Sequence, residues 1–309
     1  MRGEMPGNDV QMDAGDWSRL VFLSVLWGAT FFFTSVALRE LPPLTLVFLR
    51  LSIATLILLP VLWLNKVRLP SGISGWQPFA VMALLNNVIP FSLIVMAQTH
   101  IPSGMASVLN ATTPVFTVLV AAAFGDERLI FRRVAGVVMG LAGVVVLRGF
   151  AFEIDPDQTA GILLCLGATM SFGFSALWAT RKLKGKPPLE SAAFQLVSAS
   201  VMMACLATVI DQPWHLAMPG VTTWSAIVGL ATLSTALAYI VFFDIIVRSG
   251  ASTVMLVTLL VPVSAILLGY FVLGERIASR EIVGALIIGS ALLVMDGRVL
   301  RLFKLRGAK

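Results

Sequence analysis

The side chains that could do chemistry in this sequence stand inside long apolar runs, and Arg50 is the most unusual of them. It lies seven residues beyond Pro43, within one such run. A charge in a strongly apolar run is costly and is a functional candidate by default. Two interpretations remain open: Arg50 binds the carboxylate of a solute, or its long side chain reaches a polar boundary or a backbone carbonyl.

Amides and hydroxyls form a second set of candidates. Asn86 and Asn87 are adjacent, and adjacent residues of a helix point about 100° apart. One amide can therefore face a cavity while the other bonds a neighbouring helix, since a buried amide needs partners. Thr235 and Tyr239 occupy a later apolar run. We predict that at least one of the two amides, with Thr235 and Tyr239, contacts a solute.

Three prolines are predicted hinges. Pro114 and Pro262 stand near the middle of two apolar runs, and Pro90 stands in a third. A proline frees the carbonyl four residues earlier, which for Pro114 and Pro262 belongs to Asn110 and Thr258. Paired interruptions of this kind point to a transport site. The alternative is a kink capped by its own Asn or Thr; on the first interpretation Asn110 and Thr258 line a pathway.

Aromatic residues supply a candidate apolar wall. Trp27 lies about midway along the first apolar run, and Phe31 and Phe172 are further wall candidates. A mostly apolar pocket with few polar groups suits a solute with an apolar side chain.

The residues needed for catalysis or metal binding are absent from the apolar runs. Every Asp and Glu lies in a tail, a loop or near a run's end, with Asp244 the deepest. His100 and His215 fall in connections, and Cys165 and Cys205 lack ligand spacing. We therefore predict no enzyme, no cofactor and no metal. Tight proton coupling is not indicated either, because it normally requires carboxylates within the spans.

Composition identifies the solvent of this chain as lipid. Apolar residues make up 58% of its 309 residues and charged residues only 12%, with a mean hydropathy of +0.93. A soluble domain carries about 25% charged residues. The net charge of +6 therefore marks membrane-flanking loops rather than a nucleic-acid site.

Ten apolar runs are long enough to cross a bilayer, for which about 20 residues are needed. The predicted spans are 17–38, 43–64, 77–99, 102–124, 132–148, 160–180, 190–210, 221–247, 251–273 and 280–296. An even number places both tails, 1–16 and 297–309, on one side. Most Lys and Arg residues fall on that side, so both termini are predicted to be cytoplasmic.

The two halves of the chain repeat each other. Pro114 matches Pro262, Glu127-Arg128 matches Glu275-Arg276, and Gly136 matches Gly284, all at an offset of 148 residues. Near the start of each half, Gly28-Ala29-Thr30 matches Gly167-Ala168-Thr169. Because each half has five helices, the second must enter the membrane inverted. The prediction is an all-α membrane protein with repeats 17–148 and 160–296 around a central cavity, an architecture that permits alternating access. One chain is sufficient for one pathway.

The sequence resembles the drug/metabolite transporter superfamily, and within it the EamA-type bacterial exporters, over roughly residues 17–297. The resemblance is carried by Trp27-Gly28-Ala29-Thr30 and by proline-containing fourth and ninth helices ending in Gly125-Asp126-Glu127-Arg128 and Gly274-Glu275-Arg276. It implies export of amino acids or related metabolites across the bacterial inner membrane. The chain also looks similar to the exporters of aromatic and neutral amino acids.

Three other functions stay open at this point. A nucleotide-sugar carrier would need several deep basic residues, and Arg50 stands alone inside a span. A carrier of drug-like solutes is a second alternative. A lipid scramblase is the third, because inverted repeats do not identify what moves. Neutral or aromatic amino acids are the favoured substrates, with the lipid bilayer as the other partner.

Overall fold

The computed structural model describes residues 14–67, 69–126, 130–148, 155–249 and 257–296, which form ten helices joined by short connections. The first five are α1 (Ala14–Ala37), α2 (Pro43–Leu64), α3 (Gly72–Ala97), α4 (Ser103–Ala123) and α5 (Phe131–Arg148). The second five are α6 (Pro156–Lys182), α7 (Pro188–Ile210), α8 (221–249), α9 (Val257–Leu273) and α10 (Ser279–Asp296).

Seven of the helices in the described part of the chain are long and apolar enough to span a bilayer. The described part of α9 is shorter but equally apolar, and α5 and α10 are 18 residues each with charges at their ends. The all-α membrane fold of ten helices is thereby confirmed. We call the face that holds the start of α1 the N-terminal face, and the other the distal face.

Helix starts and ends follow local sequence. Pro43, Pro156 and Pro188 stand in the first turn of their helices, where the missing N–H is not needed. Asp155 caps α6 by accepting from the N–H of Asp157 at 3.0 Å. Gly274 follows α9 with φ +70°, a left-handed conformation that favours glycine.

The packing of the helices has two-fold pseudosymmetry. Each helix of the first half has an equivalent five helices later in the second half. The contact between α1 and α9 is therefore equivalent to the contact between α6 and α4, and both are present. In the same way, the contact between α3 and α6 is equivalent to the contact between α8 and α1. The α2–α7 and α5–α10 contacts each join two equivalent helices. The halves are therefore inverted repeats, related by an axis that passes between α2 and α7 and between α5 and α10.

Glycines at the α5–α10 contact show the same symmetry residue by residue. A Cβ on Gly284 would lie 2.9 Å from the carbonyl oxygen of Gly143, and a Cβ on Gly136 would lie 3.0 Å from that of Ala291. Both pairs are related by the 148-residue offset of the sequence repeat. Small residues thus let the two backbones approach closely.

The backbone differs around the two matched prolines, and a hinge role for either of them stays a prediction. α4 does break ahead of Pro114, between Asn110 and Thr113, and the Thr113 hydroxyl donates to the Asn110 carbonyl at 2.7 Å. By contrast, the helix from Val257 to Leu268 continues through Pro262. At Pro114 the helix is thus broken and the free carbonyl is bonded by Thr113, whereas at Pro262 the helix continues.

The interruptions that do match lie in α3 and α8, which are equivalent under the pseudosymmetry. Each contains a π-helical turn, Leu84–Val88 in α3 and Thr232–Leu237 in α8. Pro90 follows the first turn and cannot donate to the carbonyl four residues earlier, which favours the wider turn there. π turns of this kind are frequent at functional sites.

Alanine at Gly284 and alanine at Gly289 should change stability in opposite directions. Gly284 is packed against the backbone of α5, so an added methyl should cost about 1–3 kcal/mol. Gly289, on the same helix, has nothing within 4 Å of an added Cβ, so alanine there should gain about 0.5–1 kcal/mol. Thermal unfolding of the purified variants in one detergent measures both, and equal shifts would contradict the close α5–α10 contact.

Candidate functional site

A cavity of about 880 Å³ occupies the space between the repeats, and all ten helices contribute to its lining. Its volume falls within the range of small-molecule sites. The residues that line it come from both repeats, so neither half could form it alone.

Among the described residues, the cavity lining extends to the N-terminal face and stops short of the distal face. Arg132 and Arg133 at the start of α5 line it, as do Leu183 and Lys186 between α6 and α7. No residue of the distal connections 38–42, 98–102, 211–220 or 274–278 contributes to the lining. The structure is therefore open toward the N-terminal face.

Glu275 closes part of the distal face by capping a helix of the other repeat. Its carboxylate accepts hydrogen bonds from the N–H of Ser103 at 2.9 Å and of Gly104 at 3.2 Å, at the start of α4. A Cβ on Gly269 would lie 2.5 Å from the same carboxylate, so glycine is needed for this approach. A negative charge at a helix N-terminus is favourable because it faces the positive end of the helix dipole.

Two more carboxylates join the repeats on the distal face. Asp211 accepts from the Thr45 N–H at 2.7 Å and from its hydroxyl at 3.0 Å, at the start of α2. Glu40 accepts from the Gly220 N–H at 2.7 Å, before α8, and this bond with one from Thr223 holds the pKa of Glu40 below its usual value. Together with Glu275, these contacts link both halves where the cavity is closed.

The N-terminal face carries cross-repeat contacts of another kind. Arg181 pairs with Asp126 at 2.7 Å and keeps the pKa of that carboxyl below its usual value. Arg19 pairs with Asp244, the deepest acid of the sequence, at 3.3 Å. These four side chains are 35–43% exposed, and exposed ion pairs contribute little to stability. They leave the cavity open beside them.

Aromatic side chains form the walls. Trp27 packs on Phe242 with ring centroids 5.4 Å apart, and Phe91 faces Phe172 at 6.5 Å. All four line the cavity, and so does Phe31. Phe91 and Phe242 were not predicted, because a phenylalanine in a membrane helix faces lipid as readily as it faces a cavity.

Arg50 is buried, with only 6% of its surface exposed, and lines the cavity. Its Nε donates to the Thr235 hydroxyl at 2.9 Å, and the carbon of its guanidinium lies 4.0 Å from the centre of the Phe91 ring. The Arg50 side chain therefore does not extend to the membrane surface. The side chain is held inside the protein by α8 and α3.

The two π turns carry the polar residues at the centre of the cavity. In α8, the Thr235 hydroxyl donates to the Leu230 carbonyl at 2.9 Å while accepting from Arg50. In α3, the side-chain oxygen of Asn86 accepts from Ser175 at 3.1 Å, and its nitrogen donates to Gln195 at 3.4 Å.

Arg50 and Gln195 are equivalent positions of the two repeats. Each lies seven residues beyond the proline that begins its helix, Pro43 in α2 and Pro188 in α7. Each also bonds a residue of the π turn in the other repeat's third helix. The backbone arrangement is thus symmetric, while the side chains place a charge on one side and a neutral amide on the other.

Most of the predicted solute contacts line the cavity. They are Trp27, Phe31, Asn86, Asn110, Phe172, Thr235, Tyr239 and Thr258, joined by Arg50 and by the predicted hinge Pro114. Asn87, Pro90 and Pro262 are not among the lining residues. Asn87 is fully buried and donates to the Tyr239 hydroxyl at 3.3 Å, so it connects α3 to α8. Solute contact by any of these residues stays a prediction.

The basic residues at the opening were missed by sequence reasoning. Arg132, Arg133 and Lys186 stand at helix ends, where Lys and Arg are expected simply from the orientation of the chain. Gln195 and Ser234 were also missed, since nothing in their local sequence marks the side of the helix that faces inward.

Comparison with known proteins agrees with this architecture. The model of the EamA-like transporter family matches the chain twice, over residues 18–149 and 159–295. The uncharacterized transporter YoaV of Bacillus subtilis is 25% identical over 270 residues, 87% of this chain and 92% of YoaV. The uncharacterized inner membrane transporter YedA of Escherichia coli K12 is 26% identical over 263 residues, 85% of this chain and 84% of YedA. One crystal structure shares the fold, with a TM-score of 0.64 at 22% identity, covering 91% of this chain and 96% of that one.

A cysteine at Ser191 should react with a membrane-impermeant maleimide from the N-terminal face only. Ser191 lines the cavity, which opens to that face. The matched control is Arg39→Cys, exposed on the distal face, and both variants need Cys165 and Cys205 replaced by alanine. Labelling of right-side-out and inside-out vesicles separates the faces. Modification of both cysteines from one common face would contradict the direction of opening.

Proposed function

Because the chain belongs to the EamA-like transporter family and is a multi-pass membrane transporter, we propose that it exports small metabolites, with neutral or aromatic amino acids as its substrates. We place it in the bacterial inner membrane with both termini cytoplasmic. The support is the excess of Lys and Arg on the N-terminal side and the similarity to YedA, named as an inner membrane transporter.

The observation that carries this proposal is the composition of the central cavity. Aromatic rings form its walls, and amides, hydroxyls and one arginine lie on or beside the two π turns. An amino acid with an apolar side chain has two matching parts, the apolar side chain and the compact group formed by its amine and carboxylate. A nucleotide sugar would present two phosphates, whereas Arg50 is the one basic residue beside the π turns in the described lining.

The cavity serves transport by alternating access in this proposal. In the present state the distal face is closed by the carboxylate contacts of Glu275, Asp211 and Glu40. The repeats, 17–148 and 160–296, are inverted, so exchanging their conformations would open the distal face and close the other. Glu127-Arg128, the sequence match of Glu275-Arg276, lies outside the described part of the chain.

The proposal predicts exchange of amino acids by the purified protein. Proteoliposomes loaded with unlabelled phenylalanine should accumulate labelled phenylalanine, tryptophan or leucine by counterflow, and protein-free liposomes should not. A panel that includes glucose, a nucleotide sugar and a fluorescent lipid tests the other solute classes. Exchange of one of those classes with no amino acid exchanged would contradict the proposed substrate.

Neutralising Glu275 should favour opening of the distal face. Glu275→Gln loses the charge that caps α4, so a cysteine at Ser107, which lines the cavity one turn into α4, should become severalfold more reactive from the distal side. The control is Glu190→Gln, which removes a carboxylate in the first turn of α7, at the N-terminal face. Rates of maleimide labelling measure the effect. Equal rates in both variants would contradict a closing role for Glu275.

A further inference from the structure

Arg50 is a buried cation whose charge is balanced by no carboxylate of the described chain. None of the ion pairs between described residues involves it, and no Asp or Glu is among the described residues that line the cavity. Burying an unpaired charge is expensive. An ionisable residue in a membrane interior typically pairs with another charge or marks the path of a substrate or ion. Since no carboxylate of the described chain pairs with Arg50, the second role is favoured.

The side chain is held in one orientation by contacts that leave its end available. Thr235 accepts from Nε, and that hydroxyl is fixed in turn by the Leu230 carbonyl of the π turn. The carbon of the guanidinium also lies over the Phe91 ring, 4.0 Å from its centre. A guanidinium has five N–H donors, and the hydrogen bond shown to a described residue uses only the one on Nε. The two terminal nitrogens form the planar fork that matches a carboxylate.

The rest of the cavity has the same sign of charge. Arg132, Arg133 and Lys186 line its opening to the N-terminal face. A narrow opening of one charge sign with low-dielectric walls raises the local concentration of ions of the opposite sign. An anionic group that enters from this face therefore meets basic side chains first at the opening and then at the centre.

The equivalent position in the other repeat is neutral, because Gln195 stands where Arg50 would be repeated and bonds Asn86. A solute with one anionic group thus has a single place for it in the middle of the cavity. The aromatic walls formed by Trp27, Phe91 and Phe172 remain for its apolar part.

We infer that Arg50 is the binding site for the carboxylate of the transported solute, so that the substrate class is organic carboxylates with an apolar body. This rests on the proposed function in one respect, that the central cavity carries the solute. Amino acids with apolar side chains belong to the class, and so do the corresponding 2-oxo acids. Carboxamides, and amines that have no carboxylate, do not. Thr235 acts as a positioning residue for the guanidinium.

Ligand-induced thermal stabilisation of the purified full-length protein tests the site without requiring transport. The probes are phenylalanine, phenylpyruvate and phenylalaninamide, which share a benzyl group and differ in the carboxylate and the amine. The wild type should bind both carboxylates and bind the amide roughly 10- to 100-fold more weakly, the loss expected for charge-assisted hydrogen bonds. Equal binding of all three by the wild type overturns the inference without any mutation.

Three variants assign the selectivity to Arg50. Arg50→Gln should lose the preference for carboxylates, and Thr235→Val should weaken binding of the carboxylates more than binding of the amide. Arg50→Lys keeps the charge without the planar fork and should recover only part of the affinity. The control is Arg39→Gln, which removes an arginine exposed on the distal face. A full preference for carboxylates in folded Arg50→Gln overturns the inference.

The two proposals fail in different ways. Binding of phenylpyruvate through Arg50 with no counterflow of any amino acid would leave the carboxylate site standing and overturn amino-acid transport. Amino-acid counterflow at the wild-type rate by Arg50→Gln would leave the transport function standing and overturn the carboxylate site.

Discussion

Lipid offers no hydrogen-bond partner to a polar group, and most of this architecture follows from that constraint. The backbone is helical in the described segments that cross the membrane, and two of the local departures from the α-helix are compensated by a nearby hydroxyl. Thr113 bonds the carbonyl left at the break in α4, and Thr235 bonds the carbonyl left at the π turn of α8. Several of the buried polar side chains, among them Arg50, Gln195 and Thr235, line one cavity between the repeats.

The inverted repeat determines where that cavity can lie. Equivalent helices cross at α2–α7 and α5–α10, and the π turns of α3 and α8 are brought beside the same axis. The symmetric backbone supplies two equivalent positions for a polar side chain, one on α2 and one on α7. The residues at these positions differ, since the charged Arg50 bonds one π turn and the neutral Gln195 bonds the other. A symmetric backbone can therefore change conformation by exchange of its halves while an asymmetric lining holds a solute in one orientation.

Helix N-termini close the distal face because they provide unsatisfied N–H groups at the membrane boundary. Glu275, Asp211 and Glu40 each satisfy such groups on the opposite repeat. These bonds combine closure with helix capping, so opening the distal face would expose N–H groups and carboxylates to water, where both can be hydrated. The cost of opening is limited for that reason, as a transporter that changes state repeatedly requires.

The sequence by itself determined the solvent, the number of helices and the inverted repeat. These depend on composition, run length and the spacing of matched residues, which are properties along the chain. It also drew attention to Arg50, Asn86-Asn87 and Thr235, because a polar residue in an apolar run is conspicuous wherever the run packs. Only the tertiary structure decided which face each helix turns inward, since nearly every face of a membrane helix is apolar. The partners of Arg50, the inward position of Phe91 and Phe242, and the continuous helix through Pro262 all depend on contacts between segments far apart in the chain. The α4 break and the π turns likewise form where neighbouring helices and local hydroxyls satisfy the backbone, which no single run of sequence specifies.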